Sequence, residues 1–277
     1  MAIELATRYL PYVDEMFTTE SKKSLLTNQD FSWTGAKSVK VYRVSTSQMN
    51  DYDRPGTAAN WSRYGEVESL NATTQSMTLR RDRSFTFAID RLDTDETKQQ
   101  LQAASALARQ LREIVIPEVD TWVYKEMCEN AGLVGTSVAL TASNVFEEIL
   151  KASNAMDNEE VPETGRILVV NPDVYTLMKK SKDIIMETDI SNDLRIRGVV
   201  AMIDGAMVIK VPAIRLPQGI GFMMAHPVAT VAPVKLEDYT IHDNPPGISG
   251  ALVEGRINYD AFVLDNKAKA IYYLAQA

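Results

Sequence analysis

One cysteine, Cys128, is all the thiol chemistry that 277 residues carry. A lone cysteine excludes an internal disulfide framework and any zinc knuckle, which needs at least two thiolates at close spacing. It reads as a buried thiol packed as a small hydrophobe. Two histidines, His226 and His242, are too few for most metal sites. No stretch approaches the ~18 apolar residues that a membrane span requires. The opening residues carry Glu4 and Arg8 where a secretory signal would have an apolar core. Basic residues are outnumbered, 29 Lys and Arg against 37 Asp and Glu, for a net charge of −8. Phosphate affinity comes from clustered cations, so any contact with DNA is expected to be weak, local and without sequence preference. These deficits describe a chain made and used in water, in a reducing compartment.

The motifs of catalysis are missing too. The chain has no G-x-x-x-x-G-K-[ST] and no G-x-G-x-x-G, the two common phosphate cradles. Gly219-Ile220-Gly221 precedes a strand, not a helix, and reads as a turn. There is no G-x-S-x-G elbow. His226-Pro227 ends a strand, where an imidazole commonly bonds to backbone, and His242 beside Asp243 is accounted for by a surface ion pair. Glu147-Glu148 and Glu159-Glu160 are sequence neighbours pointing to different faces, which suits solvated surface better than an acid–base pair. No catalytic residue, cofactor or metal is expected.

What the chain does contain is long, extended architecture around a core that 45% apolar residues can fill. The first ~35 residues, broken by Pro11, show no clear period and read as an arm lying across other surfaces. Ser38–Ser45 and Ser76–Ile89 are strand-like, and Phe85, Phe87 and Ile89 alternate with Ser84, Thr86 and Ala88. The polar residues between them are too many for a structureless loop in a compact domain, so the two runs are expected to form a ribbon projecting from the body. An isolated ribbon is marginally stable, and a neighbouring subunit is the natural cover. Next, Asp93 is placed to cap a helix in which Leu101, Ala104, Ala108, Leu111, Val115, Val119 and Trp122 form one apolar stripe. It should kink at Pro117 yet continue to Asn130, a spine of roughly 50 Å at ~1.5 Å per residue.

The remainder reads as mixed α and β. Asn144–Met156 is a helix, Arg166–Val170 a buried strand, and Asn171-Pro172 caps the next helix. Asp204-Gly205 marks a hairpin, Ile220–Ala225 a strand, and Ile257–Leu264 with Ala270–Leu274 a last hairpin. Arg80, Arg81 and Arg83 stand out in the second ribbon strand. Alternation puts Arg81 and Arg83 on one face and Arg80 and Asp82 on the other. A charge-guarded edge strand would explain them, as would ion pairs to an acidic patch on an adjacent subunit.

The run Phe85-Thr86-Phe87-Ala88-Ile89-Asp90-Arg91-Leu92-Asp93 leads into Asp95-Glu96-Thr97 and the spine. Later come Gly205, Val211-Pro212-Ala213, Leu216-Pro217-Gln218-Gly219 and Gly255-Arg256 with Tyr259-Asp260-Ala261-Phe262-Val263-Leu264-Asp265. In joint order this series resembles the major capsid proteins of tailed bacteriophages with the Hong Kong-type coat fold. The resemblance implies an α+β fold with an N-terminal arm (1–37), an extended β-hairpin loop (38–92) and the spine helix of a peripheral domain (93–134). A mixed axial domain (135–246) and return strands of the peripheral domain (247–277) would follow. It implies a homo-oligomer of hexamers and pentamers in an icosahedral head enclosing double-stranded DNA. Trp61, Tyr64, Arg80, Arg81 and Arg83 would be the subunit contacts of the extended loop. A separate scaffolding protein, a portal and decoration proteins would be partners, in a virion assembled in the bacterial cytoplasm.

Two departures bear on this. Some members begin with a long charged scaffolding segment, whereas this sequence opens close to the arm, as expected of a processed form or of a system with a separate scaffold. Some crosslink lysine to asparagine between subunits, but nothing flanking Asn60 or Asn71 selects either. An encapsulin-like compartment shell shares the fold, and an unrecognised α+β enzyme is the alternative from a different class.

Overall fold

The computed structural model describes residues 20–28, 38–56, 62–66, 69, 71–96, 102–181 and 199–277. Most of the expected arm, residues 97–101 of the expected spine, Asn60 and Trp61 lie outside them. The chain divides into two compact units, Gly35–Thr78 and Met1–Thr34 with Leu79–Ala277.

The smaller unit is an antiparallel ribbon of β1 (Ser38–Val44) and β2 (Ala72–Thr78), with Ser38 opposite Thr78 and Val44 opposite Ala72. Its connection is tied to itself. Asn71 N donates to Ser45 Oγ (3.0 Å), Asp53 N to Arg63 O (2.9 Å) and Gly56 N to Asp53 Oδ1 (3.0 Å). Tyr52 and Tyr64 meet edge to face at 5.1 Å. Gly65 has φ +92°, and a Cβ there would sit 2.7 Å from the Asn50 side chain, so only glycine fits. Met77 of β2 is buried, but Tyr42, Val44 and Met49 remain exposed.

The second strand-like run is not one strand. It divides after Thr78, and β3 (Arg81–Asp90) joins a different sheet, pairing with β11 (Gly250–Tyr259). The cause is a long-range contact: Arg80 N donates to Asp260 Oδ2 at 2.9 Å, so the backbone at the break is spent on a side chain. Beyond the break the expected alternation holds. Phe85 and Phe87 are half-buried and Ile89 buried on one face of the three-stranded sheet β10 (Val234–Asp243), β11 and β3. Gly255 sits opposite Phe85, where a Cβ would enter the ring.

The spine starts earlier than its cap signal. Helix α2 (Arg91–Glu96) follows directly on β3; Leu92 N donates to Asp90 Oδ1 (2.8 Å) and Thr94 Oγ1 to Asp90 O (3.0 Å), so Asp90 and not Asp93 organises the first turn. After α3 (Ala103–Gln110) comes a π turn, Leu111–Val115, and then α4 (Ile116–Glu129) with Pro117 in its first turn. The expected proline kink thus takes the form of a widened turn just upstream, which gives the pyrrolidine ring room against the preceding carbonyl. Val115, Val119, Val123 and Met127 are buried, whereas Ala104 and Ala108 of the expected stripe are exposed.

The main core surrounds a six-stranded mixed sheet in the order β4 (Leu133–Gly135), β13 (Ile271–Ala275), β8 (Ile220–Ala225), β5 (Ile167–Val170), β7 (Ala206–Lys210) and β6 (Val199–Ile203). Every residue of β5 and β8 is buried, as strands covered on both faces require. Asp204 (φ 47°) and Gly205 (φ 74°) turn β6 into β7, the geometry their sequence announced. Helix α5 (Val145–Asn158) buries Val145, Ile149 and Met156, and Asn171 Oδ1 accepts from Val174 N (2.7 Å) to cap α6 (Pro172–Lys180). The expected last hairpin does not form. The chain turns at Asp260, and β12 (Phe262–Val263) pairs with β9 (Thr230–Val231). The polar turn winds into a 3₁₀ helix, Asp265–Ala270, that delivers β13 to β8 and β4.

His226 bonds to backbone as expected: Nδ1 accepts from Val228 N (3.2 Å) and Nε2 donates to Thr164 O (3.1 Å). His242 lies on β10 and its ion partner is Glu254 (3.3 Å), not Asp243, because strand neighbours point to opposite faces. Cys128 is buried with Sγ 3.7 Å from Met223 Sδ, and burial pushes its thiol up to about 12.

Residues 20–28 lie on the larger unit. Helix α1 (Lys23–Leu26) buries Leu26 completely, and Asn28 N donates to Thr230 O (2.7 Å). Beneath it, Thr230 Oγ1 is buried without a hydrogen-bond partner among the described residues. A desolvated orphan hydroxyl costs about 1–3 kcal/mol. Thr230→Val is therefore expected to stabilise the protein by about 1 kcal/mol, read as a melting temperature raised by roughly 2–4 °C. An unchanged or lower value would show that the hydroxyl is satisfied.

Candidate subunit-contact surface

The three arginines converge on the spine helix and on the turn after β11. Asp260, 1% exposed, is the hub. Its carboxylate accepts from Arg80 N (2.9 Å), Arg80 Nε (2.9 Å), Arg80 Nη2 (3.1 Å), Trp122 Nε1 (2.9 Å) and Ala261 N (2.9 Å). Burial alone would raise its pKa, but these donors, Arg80 and Trp122 foremost, outweigh it and hold the carboxyl below the usual range. The hydrogen bond from Arg80 to Asp260, joined by the Glu126 carboxylate 2.9 Å from Nη2, raises the guanidinium in turn. Arg83 is committed to Glu118, with Nε 2.7 Å from Oε1. Tyr259 donates to the same oxygen at 3.3 Å, and burial together with Glu118 pushes its phenol up to about 12. Asp82, on the other face, pairs with Arg256 (2.6 Å).

Arg81 differs. Its guanidinium lies 3.7 Å above the Trp122 ring, with Arg80 and Lys125 each at 5.5 Å from the same centroid. Three cations thus collar one indole, an arrangement favoured by the ring quadrupole. Arg81 Nε is buried without a hydrogen-bond acceptor among the described residues. Arg81, Trp122 and Lys125 line an open, mainly apolar groove of about 310 Å³ with Pro117, Thr121 and Ile214, and with Glu118 and Arg215, whose charges are paired to Arg83 and Asp120.

The sequence brought Arg81 and Arg83 to one face, and they share it, turned toward α4. Arg80 is not on the opposite face of a strand; it sits at the break, drawn out by Asp260. Tyr64 is in the ribbon's connection, 78% exposed, and Trp61 lies outside the described residues. Sequence reasoning missed Asp260, Glu118 and Glu126 and took Trp122 for plain core. Only Asp260 carried a signal, through its place in Tyr259-Asp260-Ala261-Phe262. Among the described residues, no group of three or more His, Cys, Asp or Glu could hold a metal ion.

No protein-family model matches the chain, nor does any curated protein sequence. Its fold, however, is one that solved phage structures share: the α+β Hong Kong-type coat fold. A chain from Mycobacterium phage Che8 is similar with a TM-score of 0.74 at 17% identity, over 98% of this chain and 97% of that one. The capsid structure of cyanophage P-SCSP1u follows at 0.71 and 15% identity, covering 99% and 93%. The mature capsid of bacteriophage PhiM1 gives 0.71 and 14% identity, covering 99% and 92%.

Proposed function

We propose that this chain is the major capsid subunit of a tailed phage, assembling through hexamers and pentamers into an icosahedral head around double-stranded DNA. The observation that carries this is the fold likeness to phage capsid structures over nearly the whole length of both partners. The cyanophage P-SCSP1u and PhiM1 structures are capsids, which supports a structural role over an enzymatic one. Apolar surface left open by a single copy supports the same reading. Met49 is 99% exposed in the ribbon unit, α3 buries none of its residues, and Leu92, Val134 and Ile214 are uncovered in the larger unit. Sister copies would cover such surface, and many weak contacts repeated around a shell add up to near-irreversible association.

In this reading the ribbon, with Trp61 and Tyr64, lies over an adjacent subunit, and Arg80, Arg81 and Arg83 form its root. The five segments of the fold are the arm (1–37), extended loop (38–92), spine (93–134), axial domain (135–246) and return strands (247–277). A separate scaffold, a portal and decoration proteins would complete a virion built in the bacterial cytoplasm, and the net charge of −8 keeps its contact with packaged DNA weak. The test is electron microscopy of the purified chain under assembly conditions, with scaffold supplied where required. Hollow polyhedra, or rings of five and six, are expected; a monomer that never associates at any concentration would end the proposal.

A further inference from the structure

Of the three arginines, two are spent inside the chain: Arg80 on Asp260 and Glu126, Arg83 on Glu118. Among the described residues the Arg81 guanidinium is held only over the Trp122 ring, and a guanidinium stacked on an aromatic ring keeps donors in its own plane for a carboxylate. Lys125, one turn beyond Trp122 on α4, lies near the same ring and 3.6 Å from Glu129, an exposed and loose ion pair. Between these two heads runs the groove floored by Pro117, Thr121 and Trp122. At its mouth Ile214, 87% exposed, stands on the 3₁₀ turn Ala213–Arg215. A large aliphatic side chain fully in water beside an aromatic floor and two cations defines a complementary ligand: an apolar side chain next to an acidic one.

We propose that this groove receives an acidic, apolar segment of a second copy of this chain, and that Ile214 is covered in the assembled state. Charge complementarity selects that occupant. The chain carries eight more acidic than basic residues, 37 against 29, so a second copy offers carboxylates more often than cations. The groove offers the reverse, and its volume of about 310 Å³ suits a pair of side chains, not a domain. The inference rests on the self-assembly reading but fixes what that reading leaves open: the place on the spine where a neighbour docks and the chemistry of the docked segment.

The experiment uses the full chain with p-benzoyl-phenylalanine, itself apolar, in place of Ile214, which is 87% exposed in a single copy. Assembly is first scored by microscopy and the sample is then irradiated. Particles whose crosslinked dimers carry, by mass spectrometry, a peptide with Asp or Glu beside an apolar residue are expected, with no dimers from unassembled protein. Particles without intermolecular crosslinks at position 214, or with crosslinks only within one chain, would overturn the groove and leave the shell reading intact. Absence of particles from the unmodified chain would remove both. As an independent measure, Ile214→Asp and Lys125→Glu should each raise the concentration needed for assembly by on the order of tenfold or more. Far-ultraviolet circular dichroism of the monomer should stay unchanged. Assembly at the unmodified concentration by both variants would count against the groove.

Discussion

Asp260→Ala is expected to destabilise the larger unit by about 3–5 kcal/mol, since it leaves the Trp122 indole and the backbone N–H groups of Arg80 and Ala261 without an acceptor at about 1–3 kcal/mol each. Five donors lose their acceptor at once, among them the Trp122 indole and the backbone of Arg80. Asp260→Asn keeps the shape and one acceptor oxygen but not the charge, and should cost less, about 1.5–3 kcal/mol. The two variants also separate by pH. A carboxyl held below its unfolded value near 3.9 contributes stability in full above that pH and loses it as pH falls through the folded value. The gap between wild type and Asp260→Asn should therefore be widest at neutral pH and close below about pH 4. Urea midpoints at pH 7 and pH 3 measure both effects; coincident midpoints at pH 7 would show that the hub contributes nothing.

The second large effect concerns a charge pair of the opposite kind. Asp120, 1% exposed, faces Arg215 at 2.9 Å and accepts from Ser21 Oγ at 2.6 Å, joining α4 to the 3₁₀ turn and to the segment before α1. Here burial wins, raising the carboxyl pKa against the hydrogen bond from Ser21 and the nearby charges of Arg215 and Lys23. The sign reverses accordingly: the cost of burying the anion is borne in full above its raised folded value and is relieved as pH falls from there toward the unfolded one. Asp120→Ala should cost about 3–5 kcal/mol, because the Arg215 guanidinium stays inside without its carboxylate. Replacing both charges, Asp120→Leu with Arg215→Met, should recover most of that loss and end within about 1 kcal/mol of wild type or above it. A double variant as unstable as the single one would mean that the pair, and not its desolvation, holds the segment.

Legibility in the sequence followed the range of the interaction. Alternation at Phe85, Phe87 and Ile89, the Asp204-Gly205 turn and the Asn171-Pro172 cap are fixed by neighbours in the chain, and all formed where the pattern put them. The break at Arg80 depends on a carboxylate 180 positions away, and no period in Ser76–Ile89 hints at it. The last hairpin failed for the same reason: β13 takes partners from two distant strands and not from the run just before it. At the candidate surface, the arginines were visible as a cluster, but which were committed was not. Their acids, Glu118 and Glu126, sit on a helix face that reads as solvated. Trp122 fits an apolar stripe as well as it fits a cation-collared floor, since spacing reports only that a side chain is not in water.

A turn closed over five residues in place of four holds one residue too many for the regular helix. Each residue advances the azimuth by about 100°, so the helical stretches on either side of Leu111–Val115 differ in phase. Counted back from Val115 without that surplus, Ala108 and Ala104 would face inward. With it, the inward bearing passes to Leu107 and Ala103, which are half-buried, as are Ala106, Arg109 and Gln110 on the flanks. The surplus residue exchanges an alanine for a leucine on the sheltered side, and it leaves the small, smooth alanine ridge facing out.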